Sequence, residues 1–213
     1  MYAREVKDRT ITLAVSGMLW NRSLVMIDSE TDSLWSHLLG EAMQGELKGA
    51  QLELLPSLMT DWGTWRKLHP HSTVVMLKRT SSRFNREFYK KSGQRFVLGY
   101  ADGEDAVAWP YEALEKQPAL NDQLNDVPLL VVFDSPSSTA FLYDRRLADR
   151  TLSFAMRDGK LLDDETKSVW DALTGQATAG PLKGQQLKPL AGVVSFRRAW
   201  TIFHPSTRLW EAK

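Results

Sequence analysis

Acidic side chains cluster twice in this chain at a spacing that suits acid–base chemistry. Asp28 and Glu30 stand two residues apart, and Asp163 and Glu165 repeat the arrangement. Paired carboxylates can share a proton for general acid–base work or hold a hard cation. The competing reading is an acidic turn whose aspartate bonds its own backbone. His37, His69 and His71 offer imidazoles to a metal, although a site needs three or four convergent ligands. Of these only His69 has a counterpart later in the chain, His204; Ala172 and Ser206 stand at the other two matching positions. Gly40 and Gly45, like Gly175 and Gly180, have the spacing of a phosphate loop. Glu46 and Pro181, however, occupy the position that needs lysine, and Leu47 and Leu182 the one that needs a hydroxyl. Ser16-Gly17 lacks the nucleophile-elbow pattern. The absence of cysteine excludes thiolate catalysis, disulfides and Cys-type metal centres. The sequence calls for no cofactor.

Nearly all of these residues lie in a run that occurs twice. DSETDSLWSHLLGEAMQGELKGAQL (28–52) and DDETKSVWDALTGQATAGPLKGQQL (163–187) align without a gap at an offset of 135, with 14 of 25 positions identical. Shared positions include Trp35/Trp170, Gly40/Gly175, Gly45/Gly180 and Gly49/Gly184. The same offset pairs Trp65 with Trp200 and His69 with His204. Upstream, Asp8-Arg9-Thr10 matches Asp149-Arg150-Thr151 at an offset of 141, a six-residue length difference. Residues 127–147 have no counterpart before Met1, so the first copy reads as shortened at its front. Chemistry kept twice in one chain reads as architecture before catalysis.

The local patterns place these motifs on β structure. Thr10–Val15, Leu129–Phe133, Thr139–Tyr143 and Leu152–Met156 alternate or run apolar like strands. Phe96–Tyr100 and Ala106–Trp109 predict a hairpin around Asp102-Gly103. Two helices are expected after N-caps at Thr60 and Ser195, each ending at His-Pro, with short strands following at Thr73–Leu77 and Arg208–Trp210. A further short helix is expected over Pro110–Glu115. The fold class is α+β: β-rich, mainly antiparallel, with short helices and an internal duplication of two similar halves. The units are residues 1–80, a basic connector with hairpin and short helix over 81–126, and residues 127–213, packed as one body.

Length and composition suit a globular domain, and a formal net charge of +1 gives no whole-molecule field for nucleic acid or an acidic membrane. Nucleic acid is therefore not the expected partner, and no partner is named by the sequence. The basic, aromatic stretch 78–95 keeps anionic-polymer binding as an alternative. Nothing reaches the roughly 18 apolar residues of a membrane span. The first residues lack a signal-peptide core, which implies the cytoplasm if Met1 is the start and leaves export open if the front is missing. Eight tryptophans predict buried rings whose N–H groups need acceptors.

The runs SGMLWNRSLVMIDSETDSLWSHLLGEAMQGELKG and TDWGTWRKLHPHSTVV resemble the bacterial and archaeal family filed as domain of unknown function 3179. The likeness extends to the second-half run and the FHPST ending. It implies architecture and little chemistry, since the family carries no established activity. Members have a YCPLC motif just upstream of where this chain starts, which this chain lacks, and usually glutamine where His37 stands. The expectation is a duplicated module that is structural or binding rather than catalytic. The alternatives are an enzyme or metal-binding protein with a site between the halves, or anionic-polymer binding through 78–95.

Overall fold

The computed structural model describes residues 1–75 and 95–212. It is β-rich and mainly antiparallel, with three short helices among the described residues. The first part opens with a small hairpin, β1 (Glu5–Val6) and β2 (Arg9–Thr10). A meander follows: β3 (Leu13–Trp20), β4 (Ser23–Asp28), β5 (Leu34–Ser36) and β6 (Ala42–Gln44). Helix α1 (Trp62–Leu68) closes this part. Next come the hairpin β7 (Phe96–Asp102) and β8 (Asp105–Pro110), helix α2 (Tyr111–Leu114), and strands β9 (Ala119–Leu124), β10 (Val127–Asp134) and β11 (Thr139–Asp144).

The last part also contains a small hairpin, a meander and a helix, in that order, with further strands around the helix. It has a small hairpin, β12 (Arg146–Leu147) and β13 (Arg150–Thr151), and a meander, β14 (Phe154–Arg157), β15 (Lys160–Asp163), β16 (Val169–Trp170) and β17 (Ala177–Ala179). It ends with β18 (Lys188–Pro189), β19 (Val193–Phe196), α3 (Arg197–Phe203) and β20 (Arg208–Leu209).

Strand β10 explains how the layers stack. Its sequence VPLLVVF is apolar on both faces, the signature of a strand covered on both sides. Leu129, Val131 and Phe133 meet Trp109, Tyr111 and Leu114 on one face. Leu130 and Val132 meet Phe154 and Trp170 of the last meander, and Leu187 just before β18, on the other. The sheet β18-β11-β10-β9 is thus a middle layer, with β19-β7-β8-β20 on one side. Only β8–β20 is parallel among the described pairings. The Asn121 side chain fixes the other junction, donating to the Phe154 carbonyl at 2.8 Å and accepting its N–H at 2.9 Å. The first meander has a smaller core of its own, built on Ile11, Trp35, Leu47 and Leu52.

The six-residue length difference falls in one hairpin. In the last meander Phe154 pairs Asp163, and the chain turns at Asp158-Gly159. In the first, Leu13 pairs Asp28, but the strands run on to a turn at Asn21-Arg22, with a register shift between Val15 and Leu19. Both Asn21 and Arg22 have positive φ, 49° and 64°, as a two-residue hairpin turn requires.

Three local expectations are corrected. Asp61, not Thr60, caps α1, its carboxylate accepting the Thr64 N–H at 2.8 Å, while the Thr60 hydroxyl accepts from Thr139. Ser195 does not cap α3, because it belongs to β19 and pairs Val97. Thr73–Val75 is not a strand, and Met76–Leu77 lie outside the described residues, as does 78–94 of the basic connector. No helix among the described residues is long and apolar enough to cross a membrane.

Candidate functional site

The acidic clusters fold as turns with a buried aspartate at the centre. Asp28 is fully buried. Its carboxylate accepts the Thr31 N–H at 2.6 Å, the Thr31 hydroxyl at 2.9 Å and the Trp35 indole N–H at 2.8 Å. Asp163 is equally buried and accepts the Thr166 N–H at 2.5 Å, its hydroxyl at 2.8 Å, the Ser168 N–H at 3.0 Å and the Trp170 indole at 2.9 Å. Burial alone raises a carboxyl pKa, but these donors outweigh it, and both aspartates titrate below their ordinary value. Both oxygens of each carboxylate accept hydrogen bonds from the protein's own donors. Glu30 and Glu165 are turned to the backbone instead, accepting the N–H groups of Thr12 at 2.7 Å and Ser153 at 2.9 Å. The Thr12 bond leads the lowering of the Glu30 pKa.

Two glycine positions exist to let chains touch these turns. At Gly45 and Gly180 a Cβ would lie 2.7 Å from the Cα of Ser33 and of Ser168, and the backbone φ values are +99° and +91°. The contact lets the serine hydroxyls accept the N–H groups of Leu47 and Leu182. Gly40 and Gly175 lie against the rings of Tyr2 and Tyr143, whose hydroxyls donate to the carbonyls of Leu38 and Leu173, each at 2.9 Å. Gly49 and Gly184 turn the chain in open space.

The histidines do not come together. Among the described residues no three His, Cys, Asp or Glu side chains are grouped to hold a metal. His69 and His204 end α1 and α3, their backbone N–H groups bonding the carbonyls of Trp65 and Trp200. Their rings lie on those tryptophans, with centroids 4.1 Å and 4.0 Å apart. Burial lowers the His204 pKa. His71 is exposed. His37 lines a cavity of about 440 Å³ with Met1, Leu24 and Val194. Desolvation, and then the N-terminal ammonium, lower its pKa.

Two smaller cavities, of about 200 and 210 Å³, mark where the first and last parts meet. Tyr2, Leu38 and Leu54 border one with Ala191 and Val193; Tyr143, Leu173 and Pro189 border the other with Pro56 and Leu58. A groove of about 840 Å³ opens between the tip of the β3–β4 hairpin and α3. Arg22, Arg95, Arg197 and Arg198 line it with the single acid Glu112, over Phe196, Ile202 and Leu209. Trp20 anchors the hairpin by packing edge-on against Phe203, with centroids 4.8 Å apart.

A family model described as "Protein of unknown function (DUF3179)" matches residues 1–207. The chain belongs to this family. No curated protein and no solved structure matches it. The DUF3179 chain thus has the motif geometry of two buried turns plus features that occur once: the long hairpin, the arginine-lined groove and His37. Sequence reading missed the groove because Arg22 and Arg197 lie far apart in the chain. The six-residue offset was its one signal, since it marks the hairpin that builds one wall.

Proposed function

We propose that this DUF3179 chain is a duplicated binding module rather than an enzyme. Its halves, residues 1–80 and 127–213 around the connector 81–126, build one framework. The matched hydrogen bonds of Asp28/Asp163, Tyr2/Tyr143 and Trp65/Trp200 support the duplication. So does the reciprocal seam, in which each half's tyrosine borders the other half's linker. One observation carries the non-catalytic reading: the carboxylates best placed in sequence for chemistry are buried, with both oxygens hydrogen-bonded inside the protein, in both halves. The ligand belongs to the once-only groove. Four guanidiniums against one carboxylate above an apolar floor suit an amphipathic anion, an acyl or alkyl chain ending in a carboxylate or phosphate.

Calorimetric titration with decyl phosphate tests this, with decanol and inorganic phosphate as the separate halves of the ligand. Decyl phosphate is expected to bind, and Arg22→Glu with Arg197→Glu to weaken it about tenfold or more, as partly exposed charged hydrogen bonds do. Equal binding by decanol, or an unchanged affinity in the double variant, would refute the assignment.

A further inference from the structure

The long hairpin of the first meander is a framework ladder with a separate piece added at its end. In the last meander an unbroken ladder, from Phe154 with Asp163 to Arg157 with Lys160, reaches the turn at Asp158-Gly159. In the first, Leu13 with Asp28, Ala14 with Ile27 and Val15 with Met26 match all but the last of those pairs. The place of the last falls to Ser16 and Val25. These two are joined by a side chain: the Ser16 hydroxyl donates to the Val25 carbonyl at 2.5 Å and accepts the Met18 N–H at 3.1 Å. The register shifts there, and the ladder resumes with Leu19 against Leu24 and Trp20 against Ser23. Residues 17–24 thus stand where the last meander has its turn residues Asp158-Gly159.

Both limbs of this tip leave the framework at identifiable points. On the outgoing limb Gly17 has φ +80°, and a Cβ there would meet nothing within 4 Å, so the backbone can turn without a packed neighbour in the way. On the return limb the His37 N–H donates to the Leu24 carbonyl at 3.2 Å, beside the pair of Val25 with Ser36. The far end rests on α3 through Trp20, edge-on to Phe203. Arg22, at the turn, borders the groove of about 840 Å³ and also the cavity of about 440 Å³ beside His37. Phe196 and Ala199 beneath it border both as well, so the tip is the partition between the two spaces.

We infer that residues 17–24 are a clasp that swings about Gly17 and Leu24, with Trp20 on Phe203 as its latch, and that a ligand closes it by drawing Arg22 onto its anionic head. This rests on the reading of the arginine-lined groove as an anion site. A two-stranded ribbon this short is marginal by itself, and the bulge at Ser16-Gly17 uncouples it from the ladder below. The aromatic contact at its end shifts an opening equilibrium by a factor of about two to ten. The tip therefore opens far more readily than the meander unfolds. Opening removes the partition, and the groove and the cavity become one space into which an apolar chain can enter.

Amide hydrogen exchange of the full chain, read residue by residue by NMR with decyl phosphate as the ligand, tests the clasp. Amides 18–23 are expected to open together, about tenfold or more often than amides 13–15 and 26–28 of the same two strands. Trp20→Ala should speed the tip amides about two- to tenfold and leave the framework amides unchanged, and Trp20→Phe should restore the slower rate. Decyl phosphate at ten times its dissociation constant should slow the tip amides of the wild type about tenfold. Tip amides that exchange in step with the framework amides, or that ignore Trp20→Ala, overturn the clasp and leave the groove reading standing. Decyl phosphate that binds without slowing the tip overturns its closing on the ligand. Decyl phosphate that does not bind at all overturns the groove reading and the clasp with it.

Discussion

Replacing Asp163 with asparagine tests whether the acidic motif is framework or chemistry. The Oδ2 atom of Asp163 accepts from Ser168 N–H and Trp170 Nε1, while Oδ1 accepts from Thr166 N–H, and the Thr166 hydroxyl reaches both. An amide keeps one acceptor oxygen and puts an NH2 where the other stood. If the oxygen stays with Thr166, the amide faces the Ser168 and Trp170 donors; if it flips, Thr166 N–H loses its partner. Each buried donor left unsatisfied costs about 1–3 kcal/mol, and the flipped amide leaves only one, so Asp163→Asn should cost about 1–3 kcal/mol. At Asp28 either orientation of the amide leaves one fixed N–H, of Thr31 or of Trp35, without its acceptor, so Asp28→Asn should cost about the same. Urea unfolding followed by tryptophan fluorescence and circular dichroism measures both, with the exposed Asp149→Asn as control. The pH dependence has a definite sign. The folded pKa of Asp163 lies below 3.8, so its stabilisation is complete above that value and is lost as pH falls through the folded pKa. The variant's stability should therefore fall less steeply below pH 3.8 than that of the wild type. A variant as stable as Asp149→Asn, but unable to bind any ligand of the wild type, would refute the framework reading.

Glycine and tryptophan substitutions separate close contact from mere turn geometry. Gly45→Ala should cost about 2–4 kcal/mol, because its Cβ meets the Ser33 backbone as well as an unfavourable φ, whereas Gly49→Ala, with open space around it, should cost only the roughly 1 kcal/mol of the positive φ. Comparing their urea midpoints checks this; equal losses would mean that the Ser33 contact is slack. Trp200→Ala should cost about 3–5 kcal/mol from its fully buried site, and Trp65→Ala much less, since α1 buries no residue. Thermal unfolding distinguishes the two, and similar losses would show that α1 is covered.

Much of the framework was legible because it is local. The hairpin β7–β8 announced itself by apolar runs around Asp102-Gly103, and both helices stop at His-Pro because the residue before proline leaves the α region. The need of the buried tryptophans for an acceptor was also visible. That the acceptor is the aspartate seven positions earlier was not, because the bond closes across a turn and a strand. The helix starts failed by one residue: Asp61 is a better-placed acceptor than Thr60, and Ser195 was already committed to β19. Nothing in sequence placed Arg22 beside Arg197, or Tyr2 against the linker at Ala191 and Val193, since such pairings depend on how distant segments meet.

The proposed binding site rests on the contrast between residues that recur along the chain and features that do not. Most of the residues that recur are engaged by contacts: Asp28 and Asp163 by tryptophan and threonine, Gly45 and Gly180 by serine, Gly40 and Gly175 by tyrosine, His69 and His204 by the tryptophan one turn before. A group so engaged is not available to a ligand. The features without a twin include exposed polar and apolar surface, in which Arg197 is paired with Glu112 at 3.7 Å. The long hairpin leaves Val15 71% and Leu19 69% exposed, and carries Arg22 to a groove with three other arginines. A purely structural constraint would shorten that hairpin to the two-residue turn at Asp158-Gly159 that closes its counterpart. Its extra length, held in place by Trp20 on Phe203, makes sense as one wall of a binding site.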